Sequence, residues 1–183
     1  MRTEPGSVRM KKNSFLAGSH AATLLLGFLL GIYLLPILTE PGTPSLESIM
    51  AIARSSEFKG NFRCDLQGSD LLHWGEGKVS VGKQAIALMG KVSPGPDYKL
   101  YLVPEFVENE TQFLKLKARS VRVGEIKTFE NFVVPVPEDV DIAAYTTVLV
   151  WCETFSEFIS AAKYRQDQGP FHAQTIFASS ASA

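Results

Sequence analysis

Between Asn13 and Thr39 the chain carries no lysine, arginine, aspartate or glutamate, and the run FLAGSHAATLLLGFLLGIYLLPIL (Phe15–Leu38) is apolar apart from Ser19, His20, Thr23 and Tyr33. As a helix at about 1.5 Å per residue these 24 residues extend roughly 36 Å, enough to cross a hydrocarbon core of about 30 Å. The expectation is one N-terminal transmembrane helix over residues 15–38, with the remainder folding on one side of a membrane. Arg9, Lys11 and Lys12 precede the run, so the positive-inside rule puts a basic arm, residues 1–14, in the cytoplasm and the C-terminal part in the periplasm or extracellular space. A cleaved signal peptide is the competing expectation. Its apolar region is usually about 7 to 15 residues and ends at an A-x-A-like site, whereas this one is longer and exits through PILTEPGTPS. His20, within about two turns of the cytoplasmic end, sits near the interface.

The net charge of −1 conceals an asymmetry. Residues 1–39 hold Arg2, Arg9, Lys11 and Lys12 against Glu4, leaving fourteen basic and eighteen acidic residues in the exported part. An acidic exported part has no nucleic-acid footprint. The Pro/Gly-rich TEPGTPS (Thr39–Ser45) reads as a tether. Ser45 then caps a short juxtamembrane helix whose apolar Leu46, Ile49, Met50 and Ala53 recur at i, i+3, i+4 and i+7, a face expected to pack on the following domain rather than on the bilayer. Residues 39–57 are thus linker and helix.

From Phe58 the period changes to two. In FKGNFRCD, Phe58, Gly60, Phe62 and Cys64 alternate with Lys59, Asn61, Arg63 and Asp65, which predicts a half-buried strand with Cys64 facing inward. GKVSVG, QAIALMGKV, YKLYLVP, SVRVGEIK, NFVVPVP and YTTVLVWC follow as short strands between turn-forming LQGSD, SPGPD and EDVDIAAY. ETQFLKLKA suits either a helical turn or an edge strand, and FSEFISAAKY either a helix or a strand. In YTTVLVWC both faces are apolar, Val148, Val150 and Cys152 on one and Thr147, Leu149 and Trp151 on the other, as in a central strand. The fold class expected for residues 58–164 is all-β, an antiparallel sandwich or barrel-like domain, followed by a flexible tail over 165–183.

HWGEGKVSV (His73–Val81), GPDYKLYL (Gly95–Leu102), VRVGEIKTFENFVVPVP (Val121–Pro137) and YTTVLVWCETF (Tyr145–Phe155) together resemble the DM13 domain, from about Phe58 to Tyr164. The resemblance implies a small β-rich extracytoplasmic module associated with electron transfer. Cys152 matches the family's signature cysteine, for which a bare thiol or a prosthetic group such as haem is implied. No DOMON or cytochrome domain accompanies it in this sequence, so the expected electron partner is a separate redox protein.

The residues themselves leave the chemistry of Cys152 open. No G-x-S-x-G, Walker or H-E-x-x-H motif is present. Structural zinc needs about four ligands, and Cys64, Cys152, His73 and His172 have no recognisable spacing, so no metal is expected. A haem between Cys152 and His73 would lack a C-x-x-C-H attachment motif. No cofactor follows from these residues. An oxidising compartment favours a Cys64–Cys152 disulfide, worth about 4–5 kcal/mol in the chain-entropy model; the alternatives are a reactive Cys152 thiol and two inert core cysteines. A reactive thiol requires a depressed pKa, and the neighbouring Glu153 opposes that. Trp151, His73 and Trp74, with Tyr98 and Tyr101, are candidate surroundings of the site or, equally, ordinary strand aromatics. The functional expectation is a membrane-anchored redox domain centred on Cys152; the alternative is a non-catalytic binding or envelope-structural module.

Overall fold

The computed structural model describes residues 5–166, with side chains from residue 13 onward. Helix α1 runs from Pro5 to Leu38 and α2 from Leu46 to Ser55. Eight strands follow: β1 (Phe58–Phe62), β2 (Gly75–Val81), β3 (Ala85–Val92), β4 (Tyr98–Val103), β5 (Val121–Ile126), β6 (Glu130–Pro135), β7 (Thr147–Cys152) and β8 (Glu157–Lys163). A short helix α3 (Glu110–Leu116) lies between β4 and β5. The flexible tail expected over 165–183 begins with Arg165, whose amide donates to the Thr146 carbonyl at 3.2 Å; the tail beyond 166, with the histidine at 172, lies outside the described residues, as does the start of the basic arm.

The strands form two antiparallel four-stranded sheets, ordered β1-β2-β3-β6 and β5-β4-β7-β8. The all-β expectation is borne out, as a sandwich rather than a closed barrel. β7 is a central strand between β4 and β8, as its two apolar faces require. Val148, Val150 and Cys152 turn into the core between the sheets, with Val79, Ile86, Leu88, Leu100, Phe132 and Ile159. Leu149 and Trp151 turn outward into a second core roofed by Phe113 of α3 and closed by Leu66, Val107 and Phe158. The outer face of the first sheet is covered by α2, which buries Ile49, while Ser45 accepts a hydrogen bond from the Ser48 amide at its N-cap. Sandwich layers thus carry a helix on each outer side, a way of removing apolar surface that neither sheet could hide from water alone.

Gly77 and Gly90 face each other across β2 and β3 at a point where no side chain fits. Gly77 has φ +123°, and a Cβ on Gly90 would lie 2.1 Å from the Glu76 carbonyl oxygen. The close approach coincides with a bulge, where the register between β3 and β6 shifts between Leu88 and Lys91 and the Asn131 side-chain oxygen accepts from the Gly90 amide at 3.0 Å.

One expectation fails here. Cys64 is exposed rather than inward-facing. The β1–β2 ladder ends at Phe62↔Gly77, and the chain then turns through residues 64–68, so the alternation that would bury Cys64 has no sheet to refer to.

Candidate functional site

Cys152 ends β7 at the edge of the inter-sheet core, paired with Tyr98 of β4 on one side and Glu157 of β8 on the other. β7 and β8 join through the tight turn 153–156, closed by Ser156 in the left-handed region at φ 56°. This turn is fastened to the SPGPD loop: the Glu153 amide donates to the Asp97 carbonyl at 3.0 Å, and the Thr154 hydroxyl donates to the Asp97 carboxylate at 3.1 Å. Asp97 is in turn paired with Lys99 at 2.7 Å. Two loops from one end of the sandwich thereby close around a single sulfur.

That sulfur is part of the wall of a cleft of about 300 Å³, which also involves His73, Leu72, Tyr98, Phe155 and the Pro94–Pro96 loop. Ile32 and Tyr33 of α1 complete it. Gly95 is required where it stands, since a Cβ there would lie 2.4 Å from the Tyr98 ring. Tyr98 is buried, its hydroxyl 3.4 Å from Ser93 Oγ, and burial pushes its pKa above the ordinary phenol value. His73 Nδ1 lies 3.0 Å from Asp70 Oδ2, an ion pair when the ring is protonated, which orients the ring on the cleft wall.

Cys152 is 2% exposed. Burial pushes its thiol pKa up, and the Asp97 charge adds to that; backbone hydrogen bonding at Phe155, Asp97 and Thr154 pulls the other way. The resting species at neutral pH is the protonated thiol, set in a backbone cradle that moderates the cost of charging it. Glu153 is not the opposing charge that its sequence neighbourhood implies. Its carboxylate accepts from Lys117 Nζ at 2.7 Å and from the Tyr101 hydroxyl, with Lys117 Nζ 5.1 Å from the centre of the Trp151 ring.

The structure therefore brings together two of the predicted site residues, Cys152 and His73. Trp151 lies on the opposite face of β7, its ring 4.8 Å from that of Phe113. Trp74 is half-buried, its amide donating to Ser93 Oγ at 3.3 Å, and it does not line the cleft. Cys64 and Cys152 are both free thiols, and the Cys64 Sγ lies 3.7 Å from the Gly75 carbonyl oxygen. Burial, followed by Glu76, raises the Cys64 pKa. Of the cleft wall, Pro94–Pro96 was legible only as a turn and Phe155 only as part of a helix or strand, while the Glu153–Lys117–Tyr101 cluster gave no sequence signal, since its members come from three separate elements.

Among the described residues no group of three or more His, Cys, Asp or Glu side chains is placed to hold a metal ion. The residues do not fit a haem held between Cys152 and His73: the thiol is recessed, both side chains lie on the wall of one cleft, and its volume of about 300 Å³ is the lower limit even for a drug-sized ligand.

Two loops at one end of the two-sheet sandwich thus enclose one of the protein's two free thiols. Residues 53–164 match the family described as electron transfer DM13, more than half of the chain, and the protein belongs to the DM13 family. No curated protein and no solved structure matches the chain.

Proposed function

We propose that the protein is a membrane-anchored electron-transfer domain working outside the cytoplasm through the Cys152 thiol. The family supplies the class of activity. The apolar span Asn13–Leu38 is long enough to cross a membrane, and Arg9, Lys11 and Lys12 before it favour a cytoplasmic N-terminus. The observation that carries the assignment to Cys152 is its place on the cleft wall, between the 93–97 and 153–156 loops and with His73 on the same cleft. The attacking species is the thiolate: Cys152 gives up its proton to solvent, its sulfur bonds to one sulfur of a disulfide in a separate redox protein or a small molecule, and the second sulfur of that disulfide leaves and takes up a proton as a thiol.

The test uses the full chain in lipid nanodiscs equilibrated with mixtures of glutathione and its disulfide. Mass spectrometry then counts adducts at each cysteine. Cys152 is expected to take up one glutathione reversibly in the folded protein. The reading fails when Cys152 stays unmodified in mixtures that modify the exposed Cys64. The same burial that recesses the sulfur favours a second reading, in which Cys152 is a core residue of a non-catalytic module; there, Cys152→Ala alters stability and nothing else.

A further inference from the structure

The cleft lies at a particular end of the sandwich. β2, β4 and β8 begin there, and β1, β3, β5 and β7 end there, so the loops 63–74, 93–97, 127–129 and 153–156 share that end. Three large apolar side chains in these loops have no cover: Leu71 is 95% exposed, Leu72 61% and Phe155 50%. Leu72 and Phe155 border the cleft, and the same cleft is walled by Ile32 and Tyr33. Apolar side chains grouped beside a membrane-spanning helix call for a non-aqueous neighbour.

Depth along α1 says which neighbour. The span Asn13–Leu38 has 26 residues, about 39 Å of helix against a hydrocarbon core of about 30 Å, an excess of about 9 Å. Ile32 lies six residues before Leu38, also about 9 Å. Even when all the excess emerges on the side of the β domain, Ile32 is at the hydrocarbon boundary, and any other placement or any tilt sinks it further. A domain that touches Ile32 and Tyr33 therefore reaches headgroup depth with its own loops. Several ionic groups at that end are paired, Asp97 and Glu125 with Lys99 and Asp70 with His73, and the Glu157 side chain also lines the cleft, so this end suits the polar headgroup layer rather than the hydrocarbon core.

From this we infer that the cleft end of the sandwich is seated in the headgroup layer of the bilayer that anchors the chain, with Leu71, Leu72 and Phe155 inserted among the upper acyl chains, so that the mouth of the Cys152 cleft opens at the lipid surface. The inference rests on the anchor reading above and adds the docking of the β domain itself.

The experiment places single tryptophans in the full chain, reconstituted in phosphatidylcholine vesicles with and without lipid brominated near the top of the acyl chains; the unsubstituted chain gives the background of Trp74 and Trp151. Leu71→Trp and Phe155→Trp, both at exposed positions, are expected to lose more than half of their added emission to bromine. Glu138→Trp, in the β6–β7 connection at the opposite end, is expected to lose none. Phe28→Trp, in the middle of the span, separates the two readings. When it is quenched while Leu71→Trp and Phe155→Trp behave like Glu138→Trp, the seating is overturned and the anchor stands. When Phe28→Trp is itself unquenched, both fall.

Discussion

Cys152 is held by influences of opposite sign, and which wins decides how it behaves with pH. Burial raises its pKa above the ordinary 9.0, with the backbone hydrogen bonds only moderating the rise. Alkylation of Cys152 by iodoacetamide is therefore expected to keep accelerating at pH values where a solvent-exposed thiol has levelled off, and Cys152-specific mass spectrometry reads it directly. Because the folded state holds this proton more tightly than the unfolded chain, the contribution to stability is full below the unfolded thiol's pKa and is lost as pH rises through the folded value; Cys152→Ala should flatten that alkaline slope in urea titrations. Glu153 has the reverse sign. Burial would raise its pKa, but hydrogen bonds from Lys117 and Tyr101 overcome this and lower it, so its contribution is present above the ordinary carboxylate range and lost as pH falls through the folded value. Lys117→Met leaves the carboxylate half-buried without its cation and should cost about 1–2 kcal/mol, measured by chemical denaturation at neutral pH. The sequence disclosed that Trp151 and Cys152 point to opposite faces, since strand alternation is a local rule. It misplaced Glu153 and Cys64 because each lies just past the last ladder pair, where that rule no longer applies.

Elements that the sequence left ambiguous are those buried on two faces or on none. FSEFISAAKY fits a helical template because Phe158, Ile159, Ser160, Ala161 and Ala162 are all buried, erasing the period-two pattern; pairing with β7, across a bulge between Val150 and Trp151, makes it a strand. ETQFLKLKA became α3 because Asn109 caps it, accepting from the Gln112 amide at 2.9 Å, and because Phe113 has a place to go under Tyr101 and Trp151. Phe113→Ala should accordingly cost about 3–5 kcal/mol, the loss of a fully buried ring, with thermal unfolding as the measure. α2 is different in kind. Its amphipathic period was plain in the sequence, and it packs on the first sheet, but Ile49 is its one fully buried side chain. Ile49→Asp should release α2 while leaving both sheets folded, since no strand pair depends on the helix; limited proteolysis is expected to cut near Arg54 in the variant while the β-sheet circular dichroism signal persists.

At the scale of the whole molecule, the sandwich and its anchor meet at few points, and those points were beyond the reach of periodicity. The tether is one: Glu40 Oε1 accepts from the Phe129 amide at 2.7 Å, an acidic residue in a Pro/Gly linker serving a loop 89 positions away. No local pattern encodes such a pairing, because it depends on where the first sheet brings the β5–β6 loop. The two sheets carry their own core without α1, so a fragment of residues 39–166 should fold, with circular dichroism dominated by strand. A fragment starting at Ser45 keeps every strand and α2 but leaves the Phe129 amide without its carboxylate, a hydrogen bond to a charged group worth about 1.5–3 kcal/mol. The shorter fragment is therefore expected to melt several degrees below the longer one, and Glu40→Gln in the longer fragment to recover only part of the difference, since a neutral amide oxygen still accepts but more weakly. Equal melting temperatures for the two fragments would mean that the tether merely passes the sheet. The predicted gap instead makes it a strap that fixes how the cleft end of the domain faces the helix, which is the geometry on which access to Cys152 depends.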